Sequence, residues 1–140
     1  IKLFPDPENL EPEFKQWLSQ PHKCYLDEIN LLDEININGM VHITGGGIID
    51  NPPRVLSDDK QMCIYRKYLY NSYFNFIKNK SCLDEQQMLK IFNCGIGYMI
   101  ILDEENCSKA EYIYKKNNIK YCNLGYIQSK ENKNEKIVII

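Results

Sequence analysis

Three consecutive glycines, Gly45-Gly46-Gly47, follow the short β-branched run Met40-Val41-His42-Ile43-Thr44 with no spacer between them. Glycine carries no Cβ penalty in left-handed backbone, so the chain can leave a strand there and reverse within a single turn. Asn51-Pro52-Pro53-Arg54 comes soon after, and paired prolines, lacking N–H donors, halt a helix. The segment therefore reads as strand, tight turn and a short helix that stops at Pro52. Such a turn brings successive backbone N–H groups close to a guest, and a phosphate is the natural one. Thr44 adds a hydroxyl, and Arg54 a forked donor for a phosphate or a structural carboxylate. Neither the Walker A spacing nor GxGxxG occurs, so a glycine turn without a ligand is an equal reading of these residues. His42, just before the turn, has two readings as well: acid/base or hydrogen-bond donor to a ligand, or a packed core residue.

A second polar and glycine-rich junction, Phe92-Asn93-Cys94-Gly95-Ile96-Gly97, lies between a helical and a strand-like stretch. Cys94 there is either a nucleophile or a small packing residue, and no Cys/His/Asp set singles out the first. Leu10, Phe14, Trp17 and Leu18 recur at helical spacing, as do Tyr25, Ile29 and Leu32. Residues 61–65 read as a strand, Tyr73, Phe76 and Ile77 mark a helix face, and Asp84 with Gln87 forms a capping box for a helix carrying Met88, Ile91 and Phe92. A buried strand is predicted over 95–102, a helix over 107–116, and final strands over 121–127 and 136–140. This order predicts an α+β fold in α/β/α layers, a mixed β-sheet covered by helices.

At 140 residues, one hydrophobic core serves the chain. With 44% hydrophobic and 26% charged residues, disordered and supercharged readings fall away. A net charge of -2 gives no attraction to nucleic acid or anionic lipid. The apolar stretch 98–102 is far shorter than the ~20 residues of a membrane span. The six cysteines form no CxxC pair and have only two histidines to join them, which disfavours a metal site and predicts reduced, mostly buried thiols in a cytoplasmic protein. The chain opens with Ile1 and no signal pattern, so its start reads as a cut inside a longer protein. Residues 1–20, with Pro5, Pro7 and Pro12, read as an N-terminal linker or extension, and 21–140 as the domain proper.

The stretch Val41-His42-Ile43-Thr44-Gly45-Gly46-Gly47 with Asn51 and Pro53-Arg54-Val55-Leu56, then Met88-Leu89 and Phe92-Asn93-Cys94-Gly95-Ile96-Gly97, resembles phosphoribosylformylglycinamidine cyclo-ligase, or AIR synthetase, in its C-terminal half. The resemblance covers residues 21–140. It implies a role in purine synthesis, where formylglycinamidine ribonucleotide, ATP and Mg²⁺ give aminoimidazole ribonucleotide, ADP and phosphate. His42 would be catalytic; Thr44, Gly45, Gly46, Gly47, Asn51 and Arg54 would bind substrate phosphate; Asn93, Cys94 and Gly95 would support the cleft. ATP and Mg²⁺ belong to the family's N-terminal half, so tight binding of either to this chain alone is not expected. The implied partners are that N-terminal half, a ribonucleotide substrate and, as an option, a second copy in a homodimer. The family's Pro-Thr-Arg-x-Tyr is replaced here by Pro21-His22-Lys23-Cys24-Tyr25, and lysine keeps the charge of arginine without its fork. Selenophosphate synthetase and thiamine-monophosphate kinase share such a domain but fit the two motifs less well. The alternative from another class is a stand-alone, non-catalytic ligand-binding or assembly module.

Overall fold

The computed structural model describes residues 10–130 and 135–140. In chain order the helices are α1 (Pro12–Leu18), α2 (Leu26–Asn30), α3 (Gly47–Asp50), α4 (Ser72–Lys80), α5 (Glu85–Ile91) and α6 (Glu104–Lys116). The strands are β1 (Gly39–His42), β2 (Lys60–Ile64), β3 (Tyr98–Ile101), β4 (Gly125–Ser129) and β5 (Ile137–Ile139), and 3-10 turns occupy Pro52–Val55 and Arg66–Tyr68. The α+β class is as expected, with helices packed beside the strands.

The described strands form two sheets. β1 and β3 pair antiparallel, with Met40 opposite Ile100 and His42 opposite Tyr98. β2 is the centre of a mixed sheet, antiparallel to β4 and parallel to β5. Alternation along β1–β3 serves two cores. Val41 and Met99 join the main cluster with Ile43, Ile48, Ile64 and Met88, while Ile100 packs into a second cluster around Leu32, Ala110 and Tyr114. One face of this small sheet packs on the main core; on the other, α6 and the turn that follows α2 pack against Ile100, while Met40 and His42 stay exposed.

Local capping sets several helix starts. The Asp84 carboxylate accepts from the Gln87 N–H at 2.8 Å and the Gln87 side chain accepts from the Asp84 N–H at 2.9 Å, as the capping box requires. Asp103 caps α6 by accepting from the Asn106 N–H at 2.9 Å, so that helix begins at Glu104 rather than at 107. Its acidic first turn suits the positive end of the helix. β4 starts at Gly125 rather than 121 because its partner β2 ends at Ile64, opposite Gly125.

Within the stretch read as a linker or extension, residues 1–9, including Pro5 and Pro7, lie outside the described residues. From Pro12 onward the extension docks as α1. Phe14 is 4% exposed in the main core, with its ring 4.8 Å from that of Phe76, and Trp17 stacks on Tyr73 at 4.6 Å. The Tyr73 hydroxyl donates to Glu13 at 3.1 Å. Phe14→Ala should therefore destabilise the domain by about 3 kcal/mol or more, the scale for deleting a buried phenyl ring. Chemical denaturation checks this, and a loss below about 1 kcal/mol would show that α1 lies on the core without belonging to it.

Candidate functional site

The glycine turn is held by backbone first. The Ile43 N–H donates to the Gly97 carbonyl at 2.9 Å, so the end of β1 is tied directly to the second motif. Gly46 and Gly47 have φ of 100° and 58°, left-handed values that side chains rarely adopt. The Gly47 N–H closes the turn on the Thr44 carbonyl at 3.0 Å. The three glycines do different work. A Cβ at Gly47 would strike the carbonyl oxygens of Leu89 and Phe92 at the end of α5, and one at Gly46 would sit 2.9 Å from the Asp50 Cβ. At Gly45 nothing lies within 4 Å, and this exposed residue is where a guest can approach the backbone.

Asn51 is 3% exposed. Its side-chain amide donates to the Gly47 carbonyl at 2.9 Å and the Gly45 carbonyl at 3.2 Å, and its oxygen accepts from the Thr44 hydroxyl at 3.4 Å. It braces the turn from within. Any effect of Asn51 on a ligand passes through the shape of that turn. Arg54 is exposed on the 3-10 turn after Pro52, separate from this brace.

The second motif is a strained junction. Cys94 and Gly95 have φ of 50° and 101°, and the Asn93 side-chain oxygen accepts from the Gly95 N–H at 3.0 Å. Tyr70, with φ of 62°, donates its N–H to the Cys94 carbonyl at 2.8 Å. Cys94 is fully buried, and burial pushes its thiol up to about 12. A thiol so rarely ionised is a poor nucleophile, so packing is its role. The Tyr70 hydroxyl is also sealed away, without a hydrogen-bond partner among the described residues, and burial raises its pKa. The expectation of mostly buried cysteines needs correction. Cys63 and Cys94 are buried, whereas Cys24, Cys82 and Cys122 are exposed, because the runs that hold them are turns and helix flanks rather than strands.

His42 is exposed, so its packed-core reading does not hold. Val41 and Ile43 point inward, and period-two alternation turns His42 outward. Its ring lies 5.3 Å from His22, 6.0 Å from Tyr25 and 5.8 Å from Tyr98. Both histidines of the chain thus meet, a juxtaposition that spacing in the sequence does not reveal. Lys23 ion-pairs with Glu28 at 2.5 Å, which holds the Glu28 carboxyl below the usual range. Next to this cluster a cavity of about 240 Å³ is lined by Trp17, His22, Tyr25, Asn71, Asn93 and Gly95, among others. Asn93 and Gly95 therefore face the same space as the His22-Lys23 departure. Trp17, Tyr25 and Asn71 were not singled out from the sequence as site residues, since only tertiary packing brings them there. Among the described residues no three His, Cys, Asp or Glu side chains gather as a metal cluster, and no helix is long and apolar enough to cross a membrane.

A sequence profile described as "AIR synthase related protein, C-terminal domain" matches residues 10–137. Phosphoribosylformylglycinamidine cyclo-ligase of Lawsonia intracellularis is 36% identical over 96% of this chain and 40% of its own length. The protein of that name from Lactobacillus helveticus is 31% identical over 99% of this chain and 40% of its own length. That of Leptospira interrogans serovar Lai is 38% identical over 71% of this chain and 29% of its own. The chain thus spans at most about 40% of the length of these relatives.

Two outcomes test the geometry. Gly45→Ala should fold normally while Gly47→Ala should lose several kcal/mol, since its Cβ meets backbone that cannot yield; equal melting temperatures for the two variants would contradict the assignment. In native protein a thiol reagent should modify Cys24 and Cys82 readily and reach Cys63 and Cys94 only on unfolding, with peptide mapping as the readout.

Proposed function

Because the chain belongs to the AIR synthase related family as its C-terminal domain, we propose that it forms one wall of the active cleft of a purine-pathway cyclo-ligase. In this reading the substrate is formylglycinamidine ribonucleotide, and the remaining wall comes from an N-terminal half. The observation that carries the proposal is the open backbone at Gly45, beside the braced turn and the His42 cluster. The substrate's 5′-phosphate docks at the turn. Because α3 is a single turn of helix, attraction there comes from local N–H groups, joined by the Thr44 hydroxyl once it turns from its 3.4 Å contact with Asn51, rather than from a long helix dipole. Arg54, exposed nearby in sequence, adds charge at the rim.

In the family, ATP with Mg²⁺ supplies phosphoryl activation of the formyl oxygen. Among the described residues no three His, Cys, Asp or Glu side chains gather, and in this reading ATP and Mg²⁺ are held by the N-terminal half. What this chain contributes is orientation: the phosphate anchor fixes one end of the substrate, and His42, on the outward face of β1, donates a hydrogen bond toward the reacting end or moves a proton there. The ring contacts with His22, Tyr25 and Tyr98 limit the rotamers open to the imidazole.

Alone, the purified chain should form no aminoimidazole ribonucleotide; mixed with a separately expressed N-terminal half of a cyclo-ligase relative, it should. In that mixture His42→Gln should lower kcat by about 100-fold or more, and Gly45→Ala should raise KM for the ribonucleotide. Product formation by the isolated chain, or unchanged kinetics in both variants, would refute the proposal.

A further inference from the structure

We infer that the cavity beside the His22-His42 pair takes a neutral, planar, acceptor-bearing ring, read by the side-chain amides of Asn71 and Asn93. The inference rests on the cyclo-ligase reading for the identity of that ring, the product's substituted imidazole attached to ribose.

The two asparagines are presented alike. Asn71 accepts the Phe74 N–H through its Oδ1 at 3.0 Å, and Asn93 accepts the Gly95 N–H through its Oδ1 at 3.0 Å. With each oxygen anchored by backbone, each Nδ2 is left as a donor that no described residue takes up. The turns that carry them are tied together by the bond from the Tyr70 N–H to the Cys94 carbonyl at 2.8 Å. Tyr70 immediately precedes Asn71 and Cys94 immediately follows Asn93, and both hold left-handed backbone at φ of 62° and 50°. Such strain persists only where surrounding structure enforces it. A Cβ built on Gly95 would lie 3.8 Å from the Asn71 Nδ2, so that amide stands over the Gly95 backbone at the cavity wall.

The other walls are aromatic. Trp17, Tyr25 and Phe74 line the cavity, with Trp17 fixed by its stack on Tyr73 and its edge contact with Phe74. Aromatic faces favour a flat, weakly solvated guest. The charge balance points the same way. Lys23 is the one lysine or arginine among the described lining residues, and Glu28 already neutralises it. A phosphate dianion would find no uncompensated Lys or Arg there. At about 240 Å³ the space has room for a five-membered ring with small substituents. The ring-closed product would therefore be divided: its imidazole between aromatic walls and asparagine amides, its phosphate at Gly45. The bond from the Ile43 N–H to the Gly97 carbonyl links the two sub-sites directly.

Trp17 is the chain's sole tryptophan and reports on the cavity. Titration with the uncharged ribonucleoside of 5-aminoimidazole-4-carboxamide should give a saturable change in its emission, with a dissociation constant in the millimolar range. Asn71→Ser keeps a helix cap while deleting the amide, and should raise that constant about tenfold with an unchanged melting temperature. Asn71→Asp, an equally good cap, replaces it if the serine variant loses helix content. Ribose 5-phosphate should not displace the nucleoside. No saturable change up to about 10 mM, equal binding by the Asn71 variants, or displacement by ribose 5-phosphate would each overturn the inference. Such a result alongside ring closure by the reconstituted halves removes this inference alone. Nucleoside binding without ring closure supports the cavity assignment and removes only the cyclo-ligase reading.

Discussion

Gly47 passes so close to the Leu89 and Phe92 carbonyl oxygens that no side chain fits between them. Those carbonyls belong to the end of α5, where helix geometry leaves acceptors without intrahelical partners. Close backbone approach there sets α3 against α5 and brings the first glycine motif onto the second. Asn51 then holds the turn in shape from inside, with its amide shared between the Gly45 and Gly47 carbonyls. A buried amide so satisfied is costly to disturb. Neighbouring Ile48, with no exposed surface, fills the core beneath. The open face at Gly45 exists because its two neighbours and Asn51 are committed to structure.

A second constraint sits across the cavity. Tyr70 and Cys94, both in left-handed backbone, are joined by a backbone hydrogen bond and surrounded by core. The sealed Tyr70 hydroxyl and the buried Cys94 thiol contribute packing rather than reactivity. They fix the backbone beside Asn71 and Asn93, whose side chains meet the cavity. The Lys23 and Glu28 pair acts on charge in the same region, leaving the cavity walls chiefly aromatic and amide.

Much of this was legible locally. The capping box at Asp84 and Gln87 needs only residues within one helical turn, and the sequence displays it directly. The halt at Pro52 and the turn at Gly45-Gly46-Gly47 are equally local, since they follow from missing donors and missing Cβ atoms. The start of α6 escaped because Asp103-Glu104-Glu105 reads as a polar loop until the Asp103 cap is seen to accept the Asn106 N–H. Cys82 and Cys122 are exposed against expectation, because scatter along the chain says nothing about which thiols the core will enclose.

The sequence by itself determined the class of fold, the two glycine junctions and the family they resemble, because each depends on backbone chemistry within a few consecutive residues. Only the tertiary structure decided which glycine is open, that Asn51 is a brace, and that His22 meets His42 beside Tyr25 and Tyr98. These depend on strand register, on the crossing of α3 over α5 and on the docking of α1. All three are set by long-range packing of side chains and close backbone contacts, and residues far apart in the chain carry no local mark of which partners they will meet.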